Sequence, residues 1–149
     1  MKISQKGINL IKEFSIPSFK SYADAFGVIK IGYNHTTDLA VGTRITEQIA
    51  EELLYADLSD IEQGVSRLVR RKLSQHQFDA LVSFVFSSGD GDFLKSTLLK
   101  KIKANPNDAT ISIEFSKWIH ENGKPLGGLR RRRKAEAELY FTKEQDEEL

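Results

Sequence analysis

Four groups of side chains in this sequence could do chemistry, and their spacing limits what that chemistry is. His35 has the right type for a metal ligand or a proton carrier, but no second ligand stands near it at metal spacing, so it reads as structural and no metal is expected. Asp24, three residues before Gly27, is either a working carboxylate or a turn residue of the kind common in hairpins; residue types alone leave both open. The run Arg130 to Lys134 could attract nucleic acid, yet five consecutive helical positions spread around the whole circumference of a helix. Most of it is therefore a solvated face, and no nucleic acid partner is expected. Trp118 with Phe115 could stack a sugar ring but fits a core pair better.

The elements that must position these groups can be read from pattern. Ser4 caps a short helix whose Ile8, Ile11 and Phe14 recur at helical spacing, and Pro17 closes it, since a residue before proline is pushed out of the helical region. From Ser21 to His35, β-branched residues with a period near two and flanking glycines predict a small antiparallel sheet. Thr46 and Glu47 open a helix in which Ile49, Leu53, Ala56, Ile61, Val65 and Leu68 keep one apolar stripe to about residue 70. Ser74 and Gln77 form a capping box ahead of Phe78, Leu81, Val82 and Val85, a helix that Gly89 and Gly91 are expected to end. Further helices are expected from Ser96 to Lys103, from Pro106 to about Ile119, and from Leu129 to about Phe141, followed by an acidic tail that frays. One helix, a small sheet and five more helices make an α+β protein.

At 149 residues the chain is long enough for one domain with a single core, divided into a lobe of about 15–45, a connecting helix of about 46–70 and a helical lobe of about 74–141 joined by helix 4–14. A cleft between lobes is where a ligand is expected. A net charge of +1 gives no global pull toward nucleic acid or an anionic membrane. The absence of cysteine excludes disulfides and thiolate metal sites. The opening MKISQKGINLIKEF is interrupted by Lys6, Lys12 and Glu13, so neither a signal-peptide core nor a membrane span is expected there. The expectation is a monomer made in the cytoplasm and delivered to periplasm or wall by a route that this sequence does not encode.

The segments LIKEF at Leu10–Phe14, Tyr22, Asp24, Gly27 and IGYNHT at Ile31–Thr36 resemble the phage-type lysozymes. The likeness continues through LSQHQFDALVSFVFSSG at Leu73–Gly89, FLKSTLLKKI at Phe93–Ile102, FSKWIHENGKPLGGLRRRR at Phe115–Arg133 and AEAELY at Ala135–Tyr140. It implies the family's fold, a small β lobe joined by a long helix to a helical lobe. It also implies muramidase chemistry: a carboxylic acid protonates the leaving oxygen of a glycosidic bond while a second carboxylate stabilises the sugar cation, attacks it or activates water. No cofactor is implied.

Residue by residue, the resemblance exposes a gap. The family's acid, the glutamate of a Glu-Gly pair, falls on Ser15 and its glycine on Ile16. A serine hydroxyl is far too weak an acid for this role near neutral pH. The family aspartate matches Asp24; its water-positioning threonine matches Lys30, which could pair with Asp24 or partly fill the cleft; and the glycine before His35 is Asn34. His35, a support of the active-site glutamate in the family, is expected to have lost that partner. Ser87 stands for a common asparagine, and Gly127, Gly128, Leu129 and Arg130 match the turn into the last helix that contributes to the glycan groove. Glu13 is a poor substitute acid, because two helical positions rotate it by about 200 degrees from Ser15.

Three readings follow. The first is a catalytically impaired lysozyme-like protein, of a phage or a bacterium carrying phage-derived genes, that binds peptidoglycan or its fragments. The second is an active enzyme with a displaced acid at Glu13, Glu114 or Glu121. The third is a scaffold whose partner is another, unidentified protein.

Overall fold

Ser4 accepts a hydrogen bond from the Gly7 amide, and this cap starts α1 (Gln5–Glu13) in the computed structural model, which describes residues 1–121 and 123–143. The acidic tail lies outside the described residues from position 144 on. After α1 come β1 (Ser18–Ala23), β2 (Ile29–Gly32) and β3 (His35–Thr36), an antiparallel sheet in that order that begins three residues earlier than its sequence pattern suggested. Helices α2 (Glu47–Val69), α3 (Gln75–Ser88), α4 (Asp90–Lys95), α5 (Thr97–Ala104) and α6 (Ile111–Ser116) follow, then a hairpin of β4 (His120–Glu121) and β5 (Lys124–Pro125), and α7 (Gly127–Tyr140). The α+β expectation holds. Among the described residues no helix is long and apolar enough to cross a membrane.

Three expectations about the helices need correction. Gly89, at φ 93°, ends α3 as expected, but Gly91 ends nothing: α4 runs through it, with Asp90 and Asp92 in its first turn, where acidic groups favour a helix. Pro106 does not open a helix. Asn105 Oδ1 accepts from the Asn107 amide and Asp108 Oδ1 from the Thr110 amide, so side chains hold this stretch in turns until Ile111. The last helix starts at Gly127, two residues before Leu129, with no side-chain cap.

The chain divides into two compact units, Ser15–Asp60 and a second made of Met1–Phe14 with Ile61–Leu149. Their charges differ in sign. The smaller unit carries three basic and seven acidic residues, net −4; the larger carries 19 basic and 14 acidic, net +5. In the smaller unit Ile31, Tyr33, Ala50, Leu54 and Leu58 form the buried apolar set. Gly32, at φ 64°, takes the left-handed backbone conformation that glycine adopts freely, while a Cβ there would make only ordinary contact, 3.5 Å from the Ala50 Cα.

In the larger unit α3 is the central helix, packed by α1 on one side and α7 on another. Its capping box is present in full: Ser74 accepts from Gln77 N, and the Gln77 side chain accepts from Ser74 N. Phe84 meets Phe93, Phe115 and Trp118 at ring-centroid distances of 5.9, 5.8 and 5.6 Å, which makes Trp118 and Phe115 parts of a core cluster. α1 is tied to α3 through Asp79, which accepts from Ser4 N at 2.9 Å, from the Ser4 hydroxyl, and from Gln75 Nε2 at 2.8 Å. Gly7 permits this closeness, since a Cβ on it would lie 2.6 Å from Ile3 Cγ1 and 2.9 Å from Asp79 Cβ. Gly7→Ala is therefore expected to destabilise the protein by about 1–3 kcal/mol despite alanine's higher helix propensity. Denaturant unfolding checks this, and equal or greater stability would refute the close contact.

Candidate functional site

Asp24 follows β1 and stands at the start of the turn leading into β2. Its Oδ1 accepts from the Phe26 amide at 2.9 Å and the Val28 amide at 3.0 Å, while its own amide donates to Val28 O. The carboxylate thus organises the hairpin on which it sits. The hairpin tip presents Phe26, 76% exposed.

Strand register decides which side chains share a face. Tyr22 lies opposite Lys30, and Lys30 opposite Thr36, so the three form a row across the sheet. Lys30 does not pair with Asp24. Its Nζ donates to Thr36 Oγ1 at 2.8 Å instead, because the neighbouring strand offers a hydroxyl directly opposite while Asp24 is drawn into the turn. Ile31 and His35 occupy the other face of the sheet, where Ile31 is fully buried. His35 meets a different carboxylate: Nδ1 lies 2.8 Å from Asp57 Oδ2 on α2, which ties β3 to that helix.

Asn34 is the third apparent departure at this site, and the backbone accounts for it. Its φ is 59°, in the left-handed region that glycine adopts freely and asparagine tolerates better than most residues. The departures that change chemistry reduce to Ser15 with Ile16, and Lys30. Ser15 is the first residue of the smaller unit, half-buried in the link between α1 and β1, and Ile16 beside it is 95% exposed.

In the larger unit the remaining candidates divide between structure and surface. Ser87 Oγ accepts from Arg133 Nη2 at 2.9 Å, so it serves a buried network and is not an isolated polar remnant. Arg133 also donates to Trp118 O at 2.8 Å and Glu136 Oε1 at 2.5 Å; Arg132 donates to Glu136 Oε2 at 3.1 Å and to Ser83 O at 3.0 Å. The Ser83 hydroxyl donates to Glu136 Oε2 at 2.5 Å. Arg130, Arg131 and Lys134 are exposed whereas Arg132 and Arg133 are buried, so the basic run is split. Gly127 and Gly128 lie exposed in the first turn of α7 with Leu129 half-buried. Arg130 borders a half-open hollow of about 650 Å³ between α6 and α7, walled by Ile119, Ala137 and Phe141.

The substitute acids fare differently. Glu13 is exposed and borders a second hollow between α1 and α7, beside Lys6, Asn9 and Glu138. Glu121's side chain lies outside the described residues. Glu114 is buried between Lys101 at 3.1 Å and Lys117 at 3.0 Å. Burial alone would raise its pKa, but hydrogen bonds from Lys117 and Lys101, with their charges, outweigh it and hold the carboxyl below its ordinary value of 4.5. A group kept ionised in this way is unfit to donate a proton near neutral pH. Its folded pKa is depressed, so its contribution to stability is complete above about pH 4.5 and is lost as pH falls through the lower folded value. Glu114→Gln is expected to flatten the acid limb of a stability-against-pH curve, and an unchanged limb would show that the lysine pair does not stabilise the fold.

Sequence reading missed Tyr22 and Thr36 as neighbours of Lys30, although the period-two pattern of the two strands held that information once the register was known. It missed Asp57 and Glu136 because nothing local marks a partner 22 residues away or a glutamate buried among arginines.

Comparison with known proteins bears on the family and the fold. The family model described as phage lysozyme matches residues 12–136. The endolysin of Acyrthosiphon pisum secondary endosymbiont phage 1 is 39% identical over 144 residues, covering 94% of this chain and 98% of that protein. The endolysin of Bacillus phage B103 is also 39% identical, over 154 residues; the match covers 97% of this chain but 56% of that protein's length. Among solved structures, the muramidase domain of SpmX from Asticaccaulis excentricus superposes with a TM-score of 0.86 at 36% identity, covering 95% of this chain and 99% of that one.

Proposed function

The chain belongs to the phage lysozyme family and has its lysozyme-like fold, and from that premise we propose that it binds peptidoglycan while hydrolysing it poorly or not at all. The observation that carries this reading is Ser15 where the family places its general acid. Glycosidic cleavage requires a proton for the leaving oxygen, and loss of general acid catalysis costs about 10²- to 10⁴-fold in rate. Lys30 in place of the threonine adds to the loss, since an ammonium has no lone pair to accept a hydrogen bond from water. Asp24 remains as the second carboxylate but lacks a partner acid with a known role. Glu114, held ionised by two lysines, supports the reading by removing one substitute.

Two assays on the same preparation test it: release of reducing ends from purified sacculi, and retention of the protein on them. Retention with turnover at least 10²-fold below that of an ordinary phage lysozyme is expected; turnover within ten-fold of such an enzyme would reject the proposal. In that event Glu13→Gln and Asp24→Asn identify the displaced machinery.

A second reading, a lysozyme scaffold that engages another protein, draws on the exposed Ile16, Phe26 and Val41 of the smaller unit. Apolar side chains set out in water are one mark of a protein-binding surface. Absence of sacculus retention together with saturable binding of a purified cell-envelope or phage protein would favour it. Monomeric behaviour and delivery to the wall belong to the proposal as well, the latter because the substrate of the family lies in the wall.

A further inference from the structure

The row Tyr22, Lys30, Thr36 has a property that family membership does not supply. A family threonine offers a hydroxyl at position 30; here the same place on the sheet holds an ammonium. Lys30 is half-buried as a residue, but its amine lies exposed, tethered to Thr36 Oγ1 at 2.8 Å, and among the described residues it meets no carboxylate. Asp24, the nearest acid in sequence, spends Oδ1 on the Phe26 and Val28 amides. An ammonium has three donors, so the tether to Thr36 uses one, fixes the position of the charge and leaves two for an outside acceptor. Tyr22, directly opposite Lys30 and 42% exposed, adds an amphipathic aromatic surface beside that charge. The hydroxyl hydrogen of Thr36 is still available for donation.

We infer that this row binds a carboxylate carried directly on a sugar ring, the lactyl carboxylate of an amino sugar from which the peptide has been removed. In a peptide-bearing strand that carboxyl is an amide and uncharged; amide hydrolysis exposes it. The inference rests on the reading of the chain as a peptidoglycan binder and names the form of the glycan that it prefers. Charge complementarity selects the ligand: one fixed cation, flanked by an aromatic ring and a hydroxyl, matches one anion on a polyhydroxylated ring. A charge-assisted hydrogen bond at a partly exposed position is expected to contribute roughly a five- to ten-fold preference.

Calorimetric titration of the intact chain at low ionic strength compares peptide-stripped glycan strands, peptide-bearing strands and neutral chitooligosaccharides of equal length. Stripped strands are expected to bind about five- to ten-fold tighter than the other two, and the preference is expected to weaken with added salt. Lys30→Gln should lower the affinity for stripped strands to the chitooligosaccharide level, and Thr36→Val, which removes the tether, should reduce the preference in part. Thermal melting of each variant verifies that the sheet is intact. Equal affinity for stripped and neutral strands, or a preference that survives Lys30→Gln, would overturn the inference while leaving sacculus retention to support the broader reading. A Lys30-dependent preference for peptide-bearing strands would overturn it too, by assigning the carboxylate to the peptide. Loss of retention on every glycan would remove both.

Discussion

Ser15→Glu combined with Ile16→Gly and Lys30→Thr is expected to raise the rate of wall hydrolysis by about 10²- to 10⁴-fold. The argument concerns what is absent and what remains. The chain keeps Asp24 on an ordered hairpin, His35 anchored by Asp57, and Asn34 in the backbone conformation that the turn requires. On the proposed reading, what it lacks is a titratable proton donor at Ser15 and a hydroxyl at Lys30. Each substitution in the set addresses one deficit: glutamate returns the proton, glycine removes an exposed branched side chain, and threonine replaces a cation. Reducing-end release measures the outcome. A triple variant that melts like the parent yet gains less than ten-fold would show that the site has lost more than these groups.

Glu136→Ala is expected to cost about 3–5 kcal/mol, the penalty for stranding buried charge. Glu136 is fully buried and receives hydrogen bonds from Arg132, Arg133 and Ser83. Without it two buried guanidinium groups would face each other with no anion between them. For a chain of this length the loss corresponds to a fall in Tm on the order of 10 °C. Replacing only one neighbour, as in Ser83→Ala, removes a hydroxyl and leaves the carboxylate between the two arginines, so it should cost far less. Thermal unfolding of the two variants checks the contrast; a Glu136→Ala loss under about 1 kcal/mol would mean that water enters and solvates the arginines.

Sequence and structure agree where a feature is local. The Ser74–Gln77 capping box is four consecutive residues with reciprocal bonds, and its composition is enough to read it. The apolar stripe of α2 is equally plain, and the helix spans Glu47–Val69. The failures come from competition between local signals. Gly91 is a helix breaker by propensity, but Asp90 and Asp92 in the same first turn favour a helix, and α4 forms. Pro106 fits a first helical turn, but the flanking Asn105 and Asp108 side chains bond their own backbone and hold turns. At the candidate site, the identities of Ser15, Asp24 and Lys30 were legible through resemblance alone. Their partners were not, because strand register and helix packing choose among hydroxyls and carboxylates that look alike in a linear string. Thr36 and not Asp24 takes Lys30, and Asp57 takes His35.

The opposite charges of the two units, −4 and +5, nearly cancel in the total of +1. A titration of the whole molecule therefore reports near-neutrality while each unit presents a strong field of its own sign to anything within a Debye length, about 10 Å in 0.1 M salt. On chromatographic media the protein should behave as a zwitterion, held by both anion and cation exchangers at one pH and eluted from either by modest salt.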